Sequence, residues 1–168
     1  VNAVKNEYQC SLMAPTEILA RQHYQTLRKF FASSDVRVAL WTSAYKQSSS
    51  HSEEIICEKK KESEILAQEI ADGAVDIVIG THALLEDTVQ FRALGLAVID
   101  EQHRFGVRAR QVLATKSGMP GLLPHLLSMT ATPIPRSLAL TVFGDLDVSL
   151  LKEKPEARLG IKTKMIHP

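Results

Sequence analysis

The sequence has few cysteines, no long apolar run and almost no net charge, and each of these features excludes some classes of protein. Two cysteines, Cys10 and Cys57, lie far apart among 168 residues without CxxC or histidine spacing, which argues against a disulfide framework or a zinc site and favours a reduced, cytoplasmic setting. No apolar run approaches the roughly 20 residues that span a membrane. The 20 basic and 19 acidic residues nearly cancel, so any contact with a nucleic acid would have to be local.

The amino-terminal residues, Val1 to Asn6, contain neither an initiator methionine nor the pattern of a signal peptide. We therefore interpret the chain as a piece of a longer protein. Its length and its 45% content of hydrophobic residues suffice for the core of one soluble domain.

Short apolar runs alternate with helical segments, which is the pattern of a parallel α/β sheet rather than of a hairpin meander. The predicted strands are Gln9–Met13, Val36–Trp41, Val75–Ile79, Leu96–Ile99, Leu126–Met129 and Val148–Leu151. The predicted helices are Thr16–Phe31, Glu62–Asp72, Val107–Lys116 and Pro135–Phe143.

Local signals set the ends of two of these helices. Thr16 is the expected N-cap of the first, and Gly73 is the expected residue just past the end of the second. The region Ser43–Lys61 is rich in Ser, Lys and Glu and is predicted to be a mobile surface loop. One apolar side is expected on the first helix, formed by Ile18, Leu19, Leu27, Phe30 and Phe31.

Two adjacent carboxylates follow the predicted strand Leu96–Ile99. Asp100 and Glu101 cannot end a buried strand cheaply unless a cation or a proton-transfer task holds them there. Asp100 together with nucleotide phosphates would suit Mg²⁺, and Glu101 would orient or deprotonate a water. For an isolated pair of this kind, a cap of the following turn would be the favoured interpretation.

A second polar cluster follows the strand Leu126–Met129. Thr130 and Thr132 would lie at the same sheet edge as the acids, where open α/β sheets bind ligands. His103 could then bond across to either threonine. Taken singly, each of these residues is better explained by an ordinary structural role, such as turn chemistry at Thr132 before Pro133.

Two further strand ends offer sites for phosphate groups. At Pro15 and Thr16 a strand turns into a helix whose first amides lack partners, and Gly80, Thr81 and His82 repeat the arrangement after Val75–Ile79. Gly80 would permit a close approach of the backbone. Each pattern alone is a weak signal, since most helix N-termini bind no ligand.

Four motifs in order resemble those of superfamily 2 helicases, and more narrowly those of RecG-type branched-DNA helicases. Asp-Glu-Gln-His-Arg-Phe-Gly-Val is the most specific of them. The related transcription-repair coupling translocases usually differ at His103. The motifs, which resemble Ia, Ib, II and III, are Leu12–Ala20, Gly80–Leu84, Asp100–Val107 and Met129–Arg136.

The resemblance implies a RecA-like sheet and a role for each motif residue. Asp100 would hold the Mg²⁺ of Mg-ATP, Glu101 would activate water for ATP hydrolysis, and His103, Thr130 and Thr132 would couple nucleotide state to DNA. Residues along the tracked DNA, which is branched or single-stranded, would touch mainly backbone phosphates. These are Pro15, Thr16, Gly80, Thr81 and His82.

The same family needs a glycine-rich loop ending in Gly-Lys-Ser or Gly-Lys-Thr, and no Gly-Lys pair occurs here. We therefore expect residues 1–151 to form a partial helicase domain 1 that lacks this loop and its strand, and residues 152–168 to form a linker and the start of domain 2. The missing strand is expected between those ending at Asp100 and Thr130. The chain alone should be inactive; the alternatives are a coupling translocase or a catalytically dead nucleic-acid-binding fragment.

Overall fold

The computed structural model describes residues 1–49, 55–56, 60–101, 107–119, 121, 123–131 and 147–151. Contacts between residues divide the chain into one compact unit, Val1–Thr132, and a second, Pro133–Pro168. The strands are β1 (Gln9–Met13), β2 (Val38–Trp41), β3 (Tyr45–Ser48), β4 (Ile55–Ile56), β5 (Ile77–Gly80), β6 (Leu94–Ile99) and β7 (His125–Ser128). The helices are α1 (Asn2–Lys5), α2 (Glu17–Phe30), α3 (Lys60–Ala71), α4 (Val107–Thr115) and a 3₁₀ helix at His82–Leu85.

These strands form one seven-stranded sheet in the order β4-β3-β2-β5-β1-β6-β7. Strands β2, β5, β1, β6 and β7 are parallel to one another, whereas β3 pairs antiparallel with β2 and with β4. The predicted α/β sheet with flanking helices is confirmed, and the five parallel strands place their carboxyl ends at one edge. Within the described residues, no helix is long and apolar enough to cross a membrane.

Both faces of the sheet are covered, as parallel strands require. Side chains alternate between the two faces along each strand: in β2, Val38 and Leu40 pack with Tyr24 of α2, while Trp41 packs with Leu66 of α3. This double burial explains why the strands appear in the sequence as nearly continuous apolar runs.

The prediction of a mobile loop at Ser43–Lys61 was wrong where the structure describes that region. Strand β3 continues the sheet beyond β2, with Trp41 opposite Lys46 and Ala39 opposite Ser48. The Lys46 ammonium lies 4.7 Å from the centre of the Trp41 ring, so a lysine covers the apolar ring instead of marking a solvated loop. Gln47 and Ser48 are buried although both are polar.

The predicted helix ends agree with the structure. The hydroxyl of Thr16 accepts a hydrogen bond from Leu19 N at 3.3 Å and caps α2. Gly73, with φ of +76°, lies past the end of α3, where Gly73 N donates to Ile70 O and Ala74 N donates to Glu69 O. This pair of bonds is the Schellman arrangement, which satisfies the last carbonyl groups of the helix.

The predicted apolar side of α2 was partly wrong. Ile18 and Phe30 are 80% and 73% exposed, because the buried Ala20 and Tyr24 set the face that packs on the sheet. Leu19, Leu27 and Phe31 do pack against that core.

Two predictions about the sheet were also wrong. Strand β6 pairs directly with β7, with Ile99 opposite Ser128, so the continuous ladder leaves no place between them for a phosphate-loop strand. Residues Val148–Leu151 have no regular secondary structure, and their apolar side chains are exposed instead of packed. The predicted helix Pro135–Phe143 lies outside the described residues.

Candidate active site

The carboxyl ends of five parallel strands define the candidate site. Trp41 pairs with Gly80, Gly80 with Met13, Met13 with Ile99, and Ile99 with Ser128. Every motif predicted to carry chemistry begins within two residues of one of these positions. Parallel pairing therefore brings together, along one edge, segments as far apart in the sequence as Met13 and Ser128.

Asp100 is held through its backbone and its side chain. Its N–H donates to Met13 O at 2.9 Å, which continues the β1–β6 ladder by one residue. Its Oδ2 lies 2.9 Å from Nε2 of His23 on α2. The two side chains are partly exposed, at 21% and 32% respectively, so the carboxylate remains accessible at the sheet edge.

Glu101 adopts a left-handed backbone conformation with φ of +51°. This conformation costs about 1–2 kcal/mol for a residue with a Cβ atom, and such outliers cluster at functional sites. Glu101 Oε2 lies 3.5 Å from Oγ1 of Thr130, the outer limit of a hydrogen bond. Glu101, which follows β6, and the Thr130 hydroxyl, which follows β7, therefore lie close together at the shared edge that the sequence predicted.

The two candidate DNA-contacting segments are also neighbours at this edge. Pro15 and Thr16 follow β1, and Thr81 and His82 follow β5, which is hydrogen-bonded to β1. Ala14 N extends the pairing by donating to Gly80 O at 2.8 Å. Thr16 and His82 are exposed, whereas Thr81 is 8% exposed, so Thr16 and His82 are the better placed for a macromolecular contact.

Gly80 has a packing reason for being glycine. A Cβ atom there would lie 2.0 Å from the Trp41 carbonyl oxygen and 2.8 Å from Cγ of Leu84. Gly80 is buried, so its missing side chain is required by the approach of β2 and the 3₁₀ helix. The expectation that the glycine serves the approach of a phosphate is not needed to explain it.

Sequence reasoning missed two residues at this edge. His23 belongs to no motif, and its contact with Asp100 spans 77 positions. Glu17 Oε1 accepts a hydrogen bond from Ala44 N at 3.0 Å and ties the start of α2 to the β2–β3 turn. Neither contact has a local sequence signal, because each depends on the strand order. The predicted residues His103 and Thr132 lie outside the described residues.

Comparison with known proteins decides the family. Residues 1–141 match the model of the DEAD/DEAH box helicase family. The chain belongs to this family. It is 48% identical over 161 residues to the ATP-dependent DNA helicase RecG of Bacillus subtilis, covering 96% of this chain and 21% of that protein. It is 48% identical over 164 residues to RecG of Synechocystis, covering 98% of this chain and 18% of the relative.

A solved structure agrees with the sequence relatives. A structure of RecG bound to a three-way DNA junction superposes with a TM-score of 0.66 at 38% identity, covering 90% of this chain and 18% of that one. The RecA-like helicase fold predicted from the motifs is therefore confirmed. The chain spans about a fifth of the length of the curated relatives it matches.

The donor set of this DEAD/DEAH box segment fits a magnesium ion that is held together with a nucleotide. Mg²⁺ usually takes one or two protein carboxylates and fills its other positions with phosphate oxygens and waters. Asp100 supplies such a carboxylate, and no group of three or more potential metal ligands occurs among the described residues. The carboxylate of Asp100, which is partly exposed at the sheet edge, fits an ion that is shared with nucleotide phosphates.

Proposed function

We propose that this chain forms part of the first RecA-like domain of an ATP-dependent DNA helicase that acts on branched DNA, in fork reversal, recombination and repair. The supporting observation is the convergence of Asp100, Glu101 and Thr130 beside the exposed Thr16 at one sheet edge. Similarity to RecG proteins, one of them bound to a three-way DNA junction, supports the choice of substrate.

In this proposal the two acids divide the work of ATP hydrolysis. Asp100 would hold Mg²⁺ through its carboxylate, and the bound ion would supply positive charge beside the transferred phosphate. Glu101 orients the attacking water and accepts its proton. Their side chains point apart, one toward His23 and the other toward Thr130, which gives each acid its own partner.

Thr130 would couple these acids to DNA, together with His103 and Thr132. The Thr130 hydroxyl lies near Glu101, so a change at the end of β7 reaches the water-activating acid directly. The roles of His103 and Thr132 rest on the motif resemblance alone.

The DNA strand would run across the ends of β1 and β5. Thr16 and His82 are exposed there, while Pro15, Gly80 and Thr81 shape the surface beneath. Contacts of this kind reach backbone phosphates, so they position DNA without reading its sequence, and they weaken as salt increases.

The chain contains half of this active site. Its eight glycines include none followed by lysine, so the amides and the lysine that cradle the phosphates must come from elsewhere in the polypeptide. We expect no measurable ATPase activity from these 168 residues alone, and only weak, salt-sensitive DNA binding.

The test uses a completed helicase, in which this chain replaces the matching segment of RecG from Bacillus subtilis. We expect DNA-stimulated ATP hydrolysis and unwinding of a three-way junction by the completed helicase, and neither by the chain alone. Unmodified RecG of that organism is the positive control. A completed helicase that folds and binds nucleotide but shows no DNA-stimulated hydrolysis would contradict the proposal, as would hydrolysis by the chain alone.

A further inference from the structure

The contact between His23 and Asp100 joins a helix to the candidate metal ligand. His23 Nε2 lies 2.9 Å from Asp100 Oδ2, and no motif of the sequence includes His23. An ionised carboxylate has only acceptor oxygens, so the imidazole must carry its proton on Nε2 and donate it. The contact thereby also fixes which nitrogen of the ring is protonated.

Both residues in this contact have fixed backbones. On α2, Ala20 lies about one turn before His23 and Tyr24 directly follows it, and both Ala20 and Tyr24 are buried against the sheet. Asp100 is held by its N–H bond to Met13 O. The freedom that remains at Asp100 is the rotation of its side chain, and the bond from His23 restricts that rotation.

We propose that His23 is a positioning residue for the metal ligand: it holds Oδ2 of Asp100 and so presents Oδ1 to Mg²⁺. The proposal rests on the proposed function, in which Asp100 binds the ion of Mg-ATP. Carboxylates that ligate metals are commonly oriented by a hydrogen bond to a neighbouring group, and removing that group typically weakens metal binding or activity about 10- to 100-fold.

A purely structural role makes a different prediction. If the bond only tied α2 to β6, its loss would lower stability without changing how Mg²⁺ binds. Helix α2 already has its Thr16 cap and its buried face, so we expect loss of this partly exposed bond to affect metal binding more than folding.

The experiment measures Mg²⁺-dependent binding of a fluorescent, non-hydrolysable ATP analogue to the completed helicase. His23→Ala removes the donor, whereas His23→Gln keeps an N–H donor on a side chain of similar reach. Gln25→Ala is the matched control, because Gln25 is exposed on the same helix. Asp100→Ala tests the proposed function in the same assay.

We expect His23→Ala to raise the half-saturating Mg²⁺ concentration about 10- to 100-fold. His23→Gln should restore most of the affinity, Gln25→Ala should have no effect, and thermal midpoints should be similar throughout. Unchanged Mg²⁺ dependence in His23→Ala, or equal losses in both His23 variants, would overturn the inference.

The Asp100 variant distinguishes a wrong role for His23 from a wrong role for Asp100 as the metal ligand. If Asp100→Ala loses Mg²⁺-dependent binding while His23→Ala does not, only the role of His23 is wrong. If Asp100→Ala binds normally, the proposed metal ligand is wrong, and the role of His23 is lost with it.

A second measurement uses the 168-residue chain and does not depend on nucleotide. Nitrogen-edited NMR of the histidine rings should show His23 protonated on Nε2, with a resonance that shifts in Asp100→Ala and is unchanged in Gln25→Ala. A His23 ring protonated only on Nδ1, or one insensitive to Asp100→Ala, would contradict the contact on which the proposal stands.

Discussion

The amide of Asp100 donates a hydrogen bond to the carbonyl oxygen of Met13 over 2.9 Å. This bond places the candidate metal ligand beside the point where β1 ends and the chain turns toward Thr16. The candidate sites for the nucleotide and for DNA are therefore built on neighbouring strands. A displacement at the nucleotide site can therefore reach the DNA site through a few covalent bonds and hydrogen bonds.

Thr16 offers a way to separate capping from DNA contact. Aspartate is a good N-cap, so Thr16→Asp should keep the stability of α2 while placing a negative charge where a phosphate is proposed to bind. We expect the dissociation constant of the completed helicase for junction DNA to rise about tenfold, because like charges repel. Fluorescence anisotropy at fixed salt measures it.

Thr26→Asp is the control for this change, since Thr26 is exposed on the same helix away from its N-terminus. Equal affinities in the two aspartate variants would remove Thr16 from the DNA path. A loss of thermal stability in Thr16→Asp would instead contradict the capping role.

Gln9 is a buried polar residue whose side-chain amide makes four hydrogen bonds to the backbone. Its Nε2 donates to Ile70 O and Val75 O, each at 2.8 Å, and its Oε1 accepts from Arg92 N at 2.8 Å and Ala93 N at 3.2 Å. Gln9→Leu would remove this partner from all four backbone groups; Ile70 O keeps its bond from Gly73 N, so three groups lose a partner, at about 1–3 kcal/mol each.

We therefore expect Gln9→Leu to lower the free energy of unfolding by about 3 kcal/mol or more, measured by urea denaturation of the chain. The matched control is Gln25→Leu, which changes an exposed glutamine of α2. A Gln9→Leu protein as stable as that control would show that these four bonds contribute little.

The burial of Lys116 predicts that the free energy of unfolding depends on pH. Its ammonium group is buried and donates to the carbonyl oxygens of Glu86 and Val89, and burial lowers the pKa of Lys116 against the opposing influence of Asp87 and Glu86. Between the lowered pKa and the ordinary value near 10.5, the unfolded chain binds more protons than the folded one. Stability from this group therefore rises with pH across that window.

The measurement compares the chain with Lys116→Met by urea denaturation from pH 7 to 10.5. A neutral amine keeps two N–H donors for its two carbonyl partners, so the stability advantage of the lysine should grow as pH increases. An advantage that stays constant or shrinks over this range would contradict the lowered pKa.

Gly80 is predicted to be a structural glycine. In Gly80→Ala the new methyl group meets the backbone of Trp41, which cannot move without separating β2 from β5. We expect the free energy of unfolding to fall by about 3 kcal/mol, which is the upper part of the usual range for overpacking. Gly121→Ala is the control, because Gly121 has φ of +78° but nothing within 4 Å, and it should cost about 1 kcal/mol. Equal losses would contradict the packing argument.

The sequence predicted most of the strand ends and both helix caps, because these depend on local signals such as the hydroxyl of Thr16 and the glycine at position 73. It also predicted that Glu101 and Thr130 would meet, since parallel strands share an edge. It could not predict the contact of His23 with Asp100, which depends on how α2 lies across the sheet. Nor did it predict β3, whose polar residues carry no alternating apolar pattern.

The prediction of a gap between β6 and β7 was wrong for a similar reason. Strand order in a parallel sheet is set by packing across both faces, and adjacent apolar runs such as Leu94–Ile99 and His125–Ser128 carry no mark of which neighbour each will take. The direct pairing of Ile99 with Ser128 fixes an order that spacing alone left open.

The most direct test of the proposed chemistry is the rate of DNA-stimulated ATP hydrolysis by the completed helicase carrying Glu101→Gln. Glutamine keeps the size of the side chain but cannot accept a proton from water, so nucleotide binding should persist while turnover falls about 10²- to 10⁴-fold. Turnover equal to that of the unsubstituted completed helicase would show that Glu101 does not activate the water, and the assignment of this sheet edge as the hydrolytic site would be wrong.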